Sequence, residues 1–385
     1  MAIHSPGTVH HMPLSLYITK PISFTPRTSK DLLLQEITPR PWHSFFNTRR
    51  TMGPAQRNYS HHGTAVVEEI EGLLKVHEDG HVERLPTMPD VPCTWAPEPN
   101  VASRDISFNN STGLWARFHV PNRRGQLPLL VYFHGGGFCI GSAAWRCYHE
   151  FLARLSSQAN CLIMSVSYRL APENPLPAAY EDGLAAIKWV RQHATHCTDE
   201  LSWWQTKCNF SQMFVGGDSA GGAIANNVAA QLGLAGVPAW LKGVILIQPF
   251  FGGETRTASE KNSRPSMKST LSLAASDCYW RLALPLGSNR DHPWCNPIAM
   301  LSSPKLEDLR LPPLLVCISE MDILRDRNLE FCKALERAGK SVEYDVYGGV
   351  GHAFQVLSKS PMSQVRTQEM VTNIKAFIYD RLDHI

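Results

Sequence analysis

Residues 212–225 read QMFVGGDSAGGAIA and place the pattern G-x-S-x-G between an apolar run and a stretch of small residues. The run at 212–215 predicts a strand, and residues 221–232 predict a helix. A serine on the sharp turn between such a strand and helix needs small neighbours, because the backbone is crowded there. The turn also places the serine at a helix N-terminus, where free N–H groups favour negative charge. Ser219 is therefore a candidate nucleophile.

A second motif, His134-Gly135-Gly136-Gly137, ends the apolar run 127–133, which predicts a buried strand. Consecutive glycines weaken any regular element, so they are expected where bare backbone N–H groups must approach another group closely. Preorganised N–H donors of this kind stabilise a negatively charged oxygen. Either motif alone has a simpler explanation, a flexible turn for the glycines and chance for G-x-S-x-G. Their order along the chain and their strand contexts favour a catalytic explanation.

A serine hydroxyl is a weak nucleophile until a base accepts its proton, and that base is expected to be a histidine held by an acid. His352 follows the strand-like run Val342–Tyr347 and the glycine-rich loop Gly348–Gly351, so it can reach a cleft at a strand end. His292 lies in a turn-like segment, and His384 lies next to the last residue. His352 is therefore the candidate base.

Three carboxylates follow the apolar run Leu314–Ile318 and could orient that histidine. Glu320 is closest to the end of the predicted strand, and Asp322 follows it in the same segment. Asp326 lies about one helical turn further on, where a charge at the start of a helix is the more common role. Asp322 is the candidate acid, with Glu320 and Asp326 as competitors.

Four segments resemble the hormone-sensitive-lipase-like branch of the α/β-hydrolases, and more narrowly the plant carboxylesterases related to the gibberellin receptor. They are HGGGF at 134–138, YRLAPENP at 168–175, GDSAGG at 217–222 and GHAF at 351–354. The resemblance extends from about Val66 to the C-terminus. It implies an α/β-hydrolase fold with a mostly parallel central sheet, helices on both faces and a small cap.

The resemblance also implies roles for individual residues. It assigns the acid to Asp322, beside the nucleophile Ser219 and the base His352. It makes His134 part of the glycine motif, and it places the oxyanion donors in that motif and directly after the nucleophile. The donors so assigned are Gly135, Gly136, Gly137 and Ala220.

The periodicity of the chain predicts the same fold class independently of the resemblance. Strands are predicted at 114–120, 127–133, 161–167, 212–216, 243–247, 314–318 and 341–347. Helices are predicted at 147–158, 179–193, 220–232, 328–338 and 363–382. Strands that alternate with helices favour a mostly parallel sheet covered on both faces.

The motifs favour a serine carboxylesterase that hydrolyses small carboxylic esters through an acyl-enzyme intermediate. Two alternatives follow from the same resemblance. A gibberellin-receptor-like binding protein would lack the catalytic histidine, whereas His352 is present. The other alternative is a lyase or dehydratase of plant specialised metabolism. The related dehydratases of isoflavonoid metabolism carry a threonine in the oxyanion loop, whereas Gly135-Gly136-Gly137 is intact here, which favours hydrolysis.

Composition limits the partners. The formal net charge is +3 with 18% charged residues, and no basic stripe carries interleaved aromatics, so nucleic acid is not expected. No apolar stretch approaches the roughly 20 residues of a membrane span. The sequence lacks H-E-x-x-H and clustered Cys/His ligands, so no metal or cofactor is expected. The ten cysteines form no C-x-x-C pair, which favours a reducing compartment. The expected partner is a small-molecule ester.

The N-terminal segment differs from the rest. Residues 1–58 hold seven Lys/Arg, two acidic residues and twelve Ser/Thr. This composition predicts a leader that is disordered or similar to an organellar transit peptide. The catalytic domain is expected at 59–385, with cap elements near 59–100 and 252–296. The expected location is the cytoplasm, or a plastid if the leader is a transit peptide.

Overall fold

The computed structural model describes residues 64–195, 197–262, 270–299 and 305–382. The predicted leader at 1–58 and His384 lie outside the described residues, as do 59–63 and 263–269 of the two predicted cap segments. The described strands are β1 Val66–Ile70, β2 Leu74–His77, β3 Val82–Arg84, β4 Val101–Asn109, β5 Leu114–Pro121, β6 Leu127–Phe133, β7 Leu162–Ser167, β8 Cys208–Asp218, β9 Leu241–Ile247, β10 Leu314–Ser319 and β11 Val342–Tyr347.

The central sheet has eight strands in the order β11-β10-β9-β8-β6-β7-β5-β4. Neighbouring strands from β11 to β7 pair in parallel, while β5 runs antiparallel to both β7 and β4. The expected mostly parallel sheet is confirmed, with an antiparallel edge. Because the carboxyl ends of β6, β8 and β10 lie at the same edge, the loops that follow them meet there.

Helices cover both faces of this sheet. The described helices are α1 Arg146–Ala159, α2 Ala178–His193, α3 Ser202–Gln205, α4 Ala220–Gly233, α5 Ala258–Lys261, α6 Leu273–Ala283, α7 Arg325–Arg337, α8 Phe354–Leu357 and α9 Pro361–Asp380. Strand β6 shows the layering, because all seven of its residues are buried. Leu129, Val131 and Phe133 pack with residues of α2 and α4, while Leu130 and Tyr132 pack with residues of α1 and α9.

The strands and helices predicted from periodicity are all present, each within a few residues of the expected bounds. The same periodicity did not predict β1 to β4, the helix α6 or the four-residue helices α3, α5 and α8. The first three strands form a separate small sheet, in which β2 pairs with both β1 and β3. Glu68 of β1 accepts hydrogen bonds from Arg281 of α6 at 2.9 Å. The two expected cap segments therefore contact each other.

Candidate active site

The turn between β8 and α4 carries Ser219 in a strained conformation. Its φ is 52° and its ψ is −119°, a region that residues with a Cβ rarely adopt. The turn also brings α4 very close to β6. A Cβ on Gly221 would lie 1.9 Å from the carbonyl oxygen of Phe133, and a Cβ on Gly217 would lie 2.5 Å from that same atom. Glycine at both positions is therefore required for the strand and helix to approach each other.

The structure brings Ser219, His352 and Asp322 into one chain of contacts. Nε2 of His352 lies 2.9 Å from Oγ of Ser219. Nδ1 of the same ring lies 2.6 Å from Oδ2 of Asp322. If Nδ1–H donates to the carboxylate, Nε2 is left as the acceptor for the serine hydroxyl. All three side chains are buried.

The imidazole of His352 has a perturbed pKa. Burial by itself would lower that pKa, because it disfavours the charged ring. The charge of Asp322, its hydrogen bond and the charge of Asp218 together outweigh burial, and the pKa of His352 lies above its ordinary value. The carboxylate therefore stabilises the protonated ring that forms when the serine loses its proton.

The competing candidates for the acid and for the base form hydrogen bonds with other groups. Asp326 accepts a hydrogen bond from the N–H of Ser259 at 2.7 Å, and Glu320 accepts one from the N–H of Gly349 at 2.8 Å. Nδ1 of His292 accepts from the N–H of Trp294 at 3.2 Å. In the part of the chain that the structure describes, Asp322 is the carboxylate that hydrogen-bonds the His352 ring.

The glycine motif touches Ser219 at Gly135, where an added Cβ would lie 3.1 Å from Cβ of Ser219, and its next two residues carry free backbone donors. Gly136 has φ +115° and Gly137 has φ +58°, so both occupy backbone conformations that favour glycine. Among the described residues, the N–H groups of Gly136, Gly137 and Ala220 donate to no other protein group. Backbone N–H groups of this kind can bind a negatively charged oxygen.

Gly135 differs from the expectation for this motif. Its N–H donates to Oη of Tyr148 at 2.8 Å and to Oδ1 of Asp218 at 3.1 Å. A donor already satisfied inside the protein is not free for a substrate oxygen, so Gly135 is corrected here from an oxyanion donor to an anchor of the loop. Sequence reasoning could not detect this, because the acceptors come from α1 and β8.

The ring of His134 packs against the start of the glycine loop and against Tyr168. Its ring stacks on Tyr168 with centroids 4.3 Å apart and 18° between the planes. Its Nδ1 lies 2.8 Å from the carbonyl oxygen of Gly135, and the hydroxyl of Tyr168 donates to the carbonyl oxygen of His134 at 2.8 Å. Burial lowers the pKa of His134 to about 4, so its ring is neutral at physiological pH.

Helix α6 and the segment before it contact the site from the opposite side. The ring of Tyr279 lies directly on Gly137, since a Cβ on that glycine would be 2.3 Å from two ring atoms. The hydroxyl of Thr270 donates to the carbonyl oxygen of His352 at 2.9 Å. Phe250, whose N–H donates to the carbonyl oxygen of Ser219, stacks on Trp280 at 4.6 Å. Aromatic side chains of the buried core therefore pack against the site on this side.

Two features are absent from the described ranges. They contain no group of three or more His, Cys, Asp or Glu side chains placed to hold a metal ion. No helix within them is both long enough and apolar enough to cross a membrane.

The chain is similar to known proteins of the α/β-hydrolase fold. Residues 130–356 match a family described as having the alpha/beta hydrolase fold. The chain is 48% identical to "Probable carboxylesterase 6" of Arabidopsis thaliana, over 85% of this chain and 96% of that protein. It is 36% identical to the "2-hydroxyisoflavanone dehydratase" of Glycyrrhiza echinata, over 75% of this chain and 89% of that one.

Solved structures of esterases superpose on the chain. EstE1, a thermophilic carboxylesterase cloned from a metagenomic library, matches with a TM-score of 0.62 and 28% identity, covering 73% of this chain and 90% of EstE1. An esterase of Pyrobaculum calidifontis matches with a TM-score of 0.60 and 27% identity, covering 72% of this chain and 85% of that one.

Proposed function

This chain belongs to the plant carboxylesterases of the α/β-hydrolase fold, and we propose that Ser219, His352 and Asp322 carry out its reaction. It is a carboxylic ester hydrolase whose substrate is a small-molecule ester. The observation that carries the assignment of residues is the unbroken contact chain from the carboxylate through the imidazole to the serine, with distances of 2.6 and 2.9 Å.

The geometry supports a two-stage acyl transfer. His352 takes the proton of Ser219 as Oγ attacks the ester carbonyl, and the carbonyl oxygen becomes an oxyanion held by the N–H groups of Gly136, Gly137 and Ala220. The C–O bond of the ester then breaks, and His352 gives its proton to the departing alcohol. A water molecule, deprotonated by the same imidazole, attacks the acyl-enzyme and releases the carboxylic acid and free Ser219.

Asp322 acts through the histidine rather than on the substrate. Its Oδ2 holds Nδ1–H of the ring, which selects the tautomer with a free Nε2. Its other oxygen accepts from the N–H of Leu324 at 3.1 Å, so the carboxylate is fixed in orientation by its own turn. The negative charge stabilises the imidazolium in each stage of the reaction.

The assignment is tested with the purified protein and short-chain p-nitrophenyl esters. We expect hydrolysis of the acetate or butyrate in preference to long acyl chains, and covalent labelling of Ser219 by a fluorophosphonate probe. Ser219→Ala should lose both activities, while Ser211→Ala, which removes a serine hydroxyl bound to Asn209 elsewhere on β8, should keep both. Normal turnover by the Ser219→Ala protein would refute the assignment.

A second candidate is an elimination reaction, and the 36% identical dehydratase is the observation that favours it. An elimination needs a base but no acyl-enzyme, so it would survive the loss of the nucleophile. The free N–H groups of an intact glycine loop support hydrolysis instead. If Ser219→Ala still converts a β-hydroxy ketone with loss of water, the elimination is the better assignment.

For location, the proposal remains the cytoplasm, with a plastid as the alternative. A 34% identical relative from Tulipa gesneriana, matched over 81% of this chain, is named "Tuliposide A-converting enzyme 1, chloroplastic". The basic, hydroxyl-rich composition of residues 1–58 supports the alternative. A fluorescent protein fused to the C-terminus, with and without residues 1–58, would distinguish them by colocalisation with chlorophyll.

A further inference from the structure

The reaction described above leaves one buried carboxylate beside the nucleophile without a role. Asp218 is the last residue of β8, directly before Ser219, and is 1% exposed. No lysine or arginine of the described residues forms an ion pair with it. A buried charge without a cationic partner is costly, so its retention requires other interactions or a function.

We propose that Asp218 is a positioning residue with two effects on the esterase reaction, and this inference rests on the proposed function. It fixes the oxyanion loop to the nucleophile turn, and it supplies a second negative charge that faces His352.

The positioning effect follows from the hydrogen bonds. Oδ1 of Asp218 accepts from the N–H of Gly135 at 3.1 Å and from the hydroxyl of Tyr132 at 2.8 Å. Oδ2 accepts from the hydroxyl of Tyr148 at 3.0 Å, and that hydroxyl accepts in turn from the N–H of Gly135. The first peptide of the loop is thus held by β8 and α1 together. This anchor leaves the N–H groups of Gly136 and Gly137 as the free donors.

The contact between the loop and Asp218 is so close that position 135 has room only for glycine. A Cβ on Gly135 would lie 2.7 Å from Oδ2 of Asp218 and 3.1 Å from Cβ of Ser219. The nucleophile, the carboxylate and the loop therefore form one packed unit. A displacement of the loop by about 1 Å would move its donors away from the oxyanion, and errors of that size can cost about a hundredfold in rate.

The electrostatic effect follows from the groups around the carboxylate. Four titratable side chains face Asp218, namely Tyr132 of β6, Cys147 and Tyr148 of α1, and Tyr168 after β7. Burial raises the pKa of each of them, so all four are neutral. His352 is the group near Asp218 that gains a positive charge. Its Nε2 lies 2.9 Å from Oγ of Ser219, the residue directly after Asp218. Burial raises the pKa of Asp218 itself to about 6, so the carboxylate is ionised above that pH, where its charge adds to that of Asp322 in raising the pKa of His352.

The test compares kcat and kcat/KM across pH for wild type, Asp218→Asn, Asp218→Thr and Tyr148→Phe, with Tyr347→Phe as the control. Asp218→Asn removes the charge but keeps an oxygen for Gly135. Tyr148→Phe removes one acceptor of Gly135 but keeps the charge. Tyr347 is a buried tyrosine of the same sheet whose hydroxyl contacts Cys317 and Asn373, so it reports the general cost of losing such a hydroxyl.

We expect Asp218→Asn to move the acid limb of kcat/KM to lower pH by about half a pH unit or more, because His352 loses a stabilising charge. Its kcat should fall about tenfold or more with a smaller change in KM. Tyr148→Phe should lower kcat without moving the acid limb. Asp218→Thr, also neutral, should move the acid limb in the same direction and serves if the asparagine variant does not fold.

Two results would overturn the inference. One is a folded neutral variant with wild-type kcat and a wild-type acid limb. The other is a loss of kcat with no movement of the acid limb, which would make Asp218 a purely structural residue. An inactive wild-type protein would instead refute the proposed esterase function, so the two failures are distinguishable.

Discussion

At the scale of single residues, substitutions can test which of three carboxylates after β10 is the catalytic acid. Asp322→Asn should fold normally but lose about 10⁴-fold in kcat, because the amide would favour the wrong tautomer of His352. Glu320→Gln and Asp326→Asn are the matched controls, since both side chains bind backbone N–H groups away from the ring. Steady-state hydrolysis of p-nitrophenyl acetate measures all three, and a larger loss in either control would contradict the assignment.

The raised pKa of His352 gives a second prediction at this scale. The neutral ring is the base, so activity should fall as pH drops through the pKa of His352. Since that pKa lies above its ordinary value, the midpoint of the acid limb should lie above about 6.5. A profile of kcat/KM from pH 5 to 9, monitored at an isosbestic wavelength of p-nitrophenol, measures it. A midpoint below 6 would show that Asp322 does not stabilise the imidazolium as described.

Residues of the site were predictable to different degrees. Ser219 and His352 carry local patterns, a G-x-S-x-G turn and a glycine-rich loop after a strand, and these patterns need no knowledge of distant contacts. The choice of Asp322 over Glu320 depends on the turn after β10, where the N–H of Asp322 bonds the carbonyl oxygen of Ser319. The roles of Gly135 and Asp218 were not predictable, because they depend on contacts that join β8 to β6, α1 and the loop after β6, which are separate segments of the sequence.

At the scale of elements, α6 is expected to control which acyl groups enter the site. The ring of Tyr279 lies on Gly137, one of the proposed oxyanion donors, and packs edge-on to Phe250 at 6.3 Å. Tyr279→Ala should therefore open space beside the reacting carbonyl and raise the rate ratio of hexanoate to acetate esters several-fold. Tyr279→Phe keeps the ring and should keep the wild-type ratio. An unchanged ratio in Tyr279→Ala would mean that the acyl chain lies elsewhere.

The unpredicted elements share a physical cause. Strands β1, β2 and β3 have at most five residues, and β4 has one fully buried residue, Val101, so they lack the regular alternation that identifies a half-buried strand. Helix α6 mixes small, polar and aromatic residues. Its Cys278 contacts β1, and its Tyr279 and Trp280 contact Gly137 and Phe250 in the loops around the site. One signal could have found it, since the side chain of Ser272 accepts from the N–H of Ala275 at 3.1 Å as a helix N-cap. Strong local patterns identified the core elements, whereas the surrounding elements depend on tertiary contacts.

At the scale of the whole molecule, the small N-terminal sheet belongs to the catalytic unit. Arg84 of β3 donates to the carbonyl oxygen of Cys139 at 2.7 Å and to that of Ala171 at 3.0 Å. The same guanidinium pairs with Glu173 at 2.6 Å. Ile70 and Leu74 are fully or almost fully buried in the core. The small sheet thus contacts the segment after the glycine loop through Arg84, and it contacts α6 through Glu68.

Two truncations separate the leader from this sheet. Deleting residues 1–58 should leave the melting temperature and the esterase rate unchanged, because their basic, hydroxyl-rich composition predicts a leader rather than part of the catalytic domain. Deleting residues 1–86 removes Arg84, Glu68 and two core side chains, so the melting temperature should fall by more than about 5 °C and the rate should drop. Thermal unfolding and p-nitrophenyl butyrate hydrolysis measure both variants. If the shorter deletion already destabilises the protein, the leader packs on the domain. If the longer one is harmless, the small sheet does not support the site.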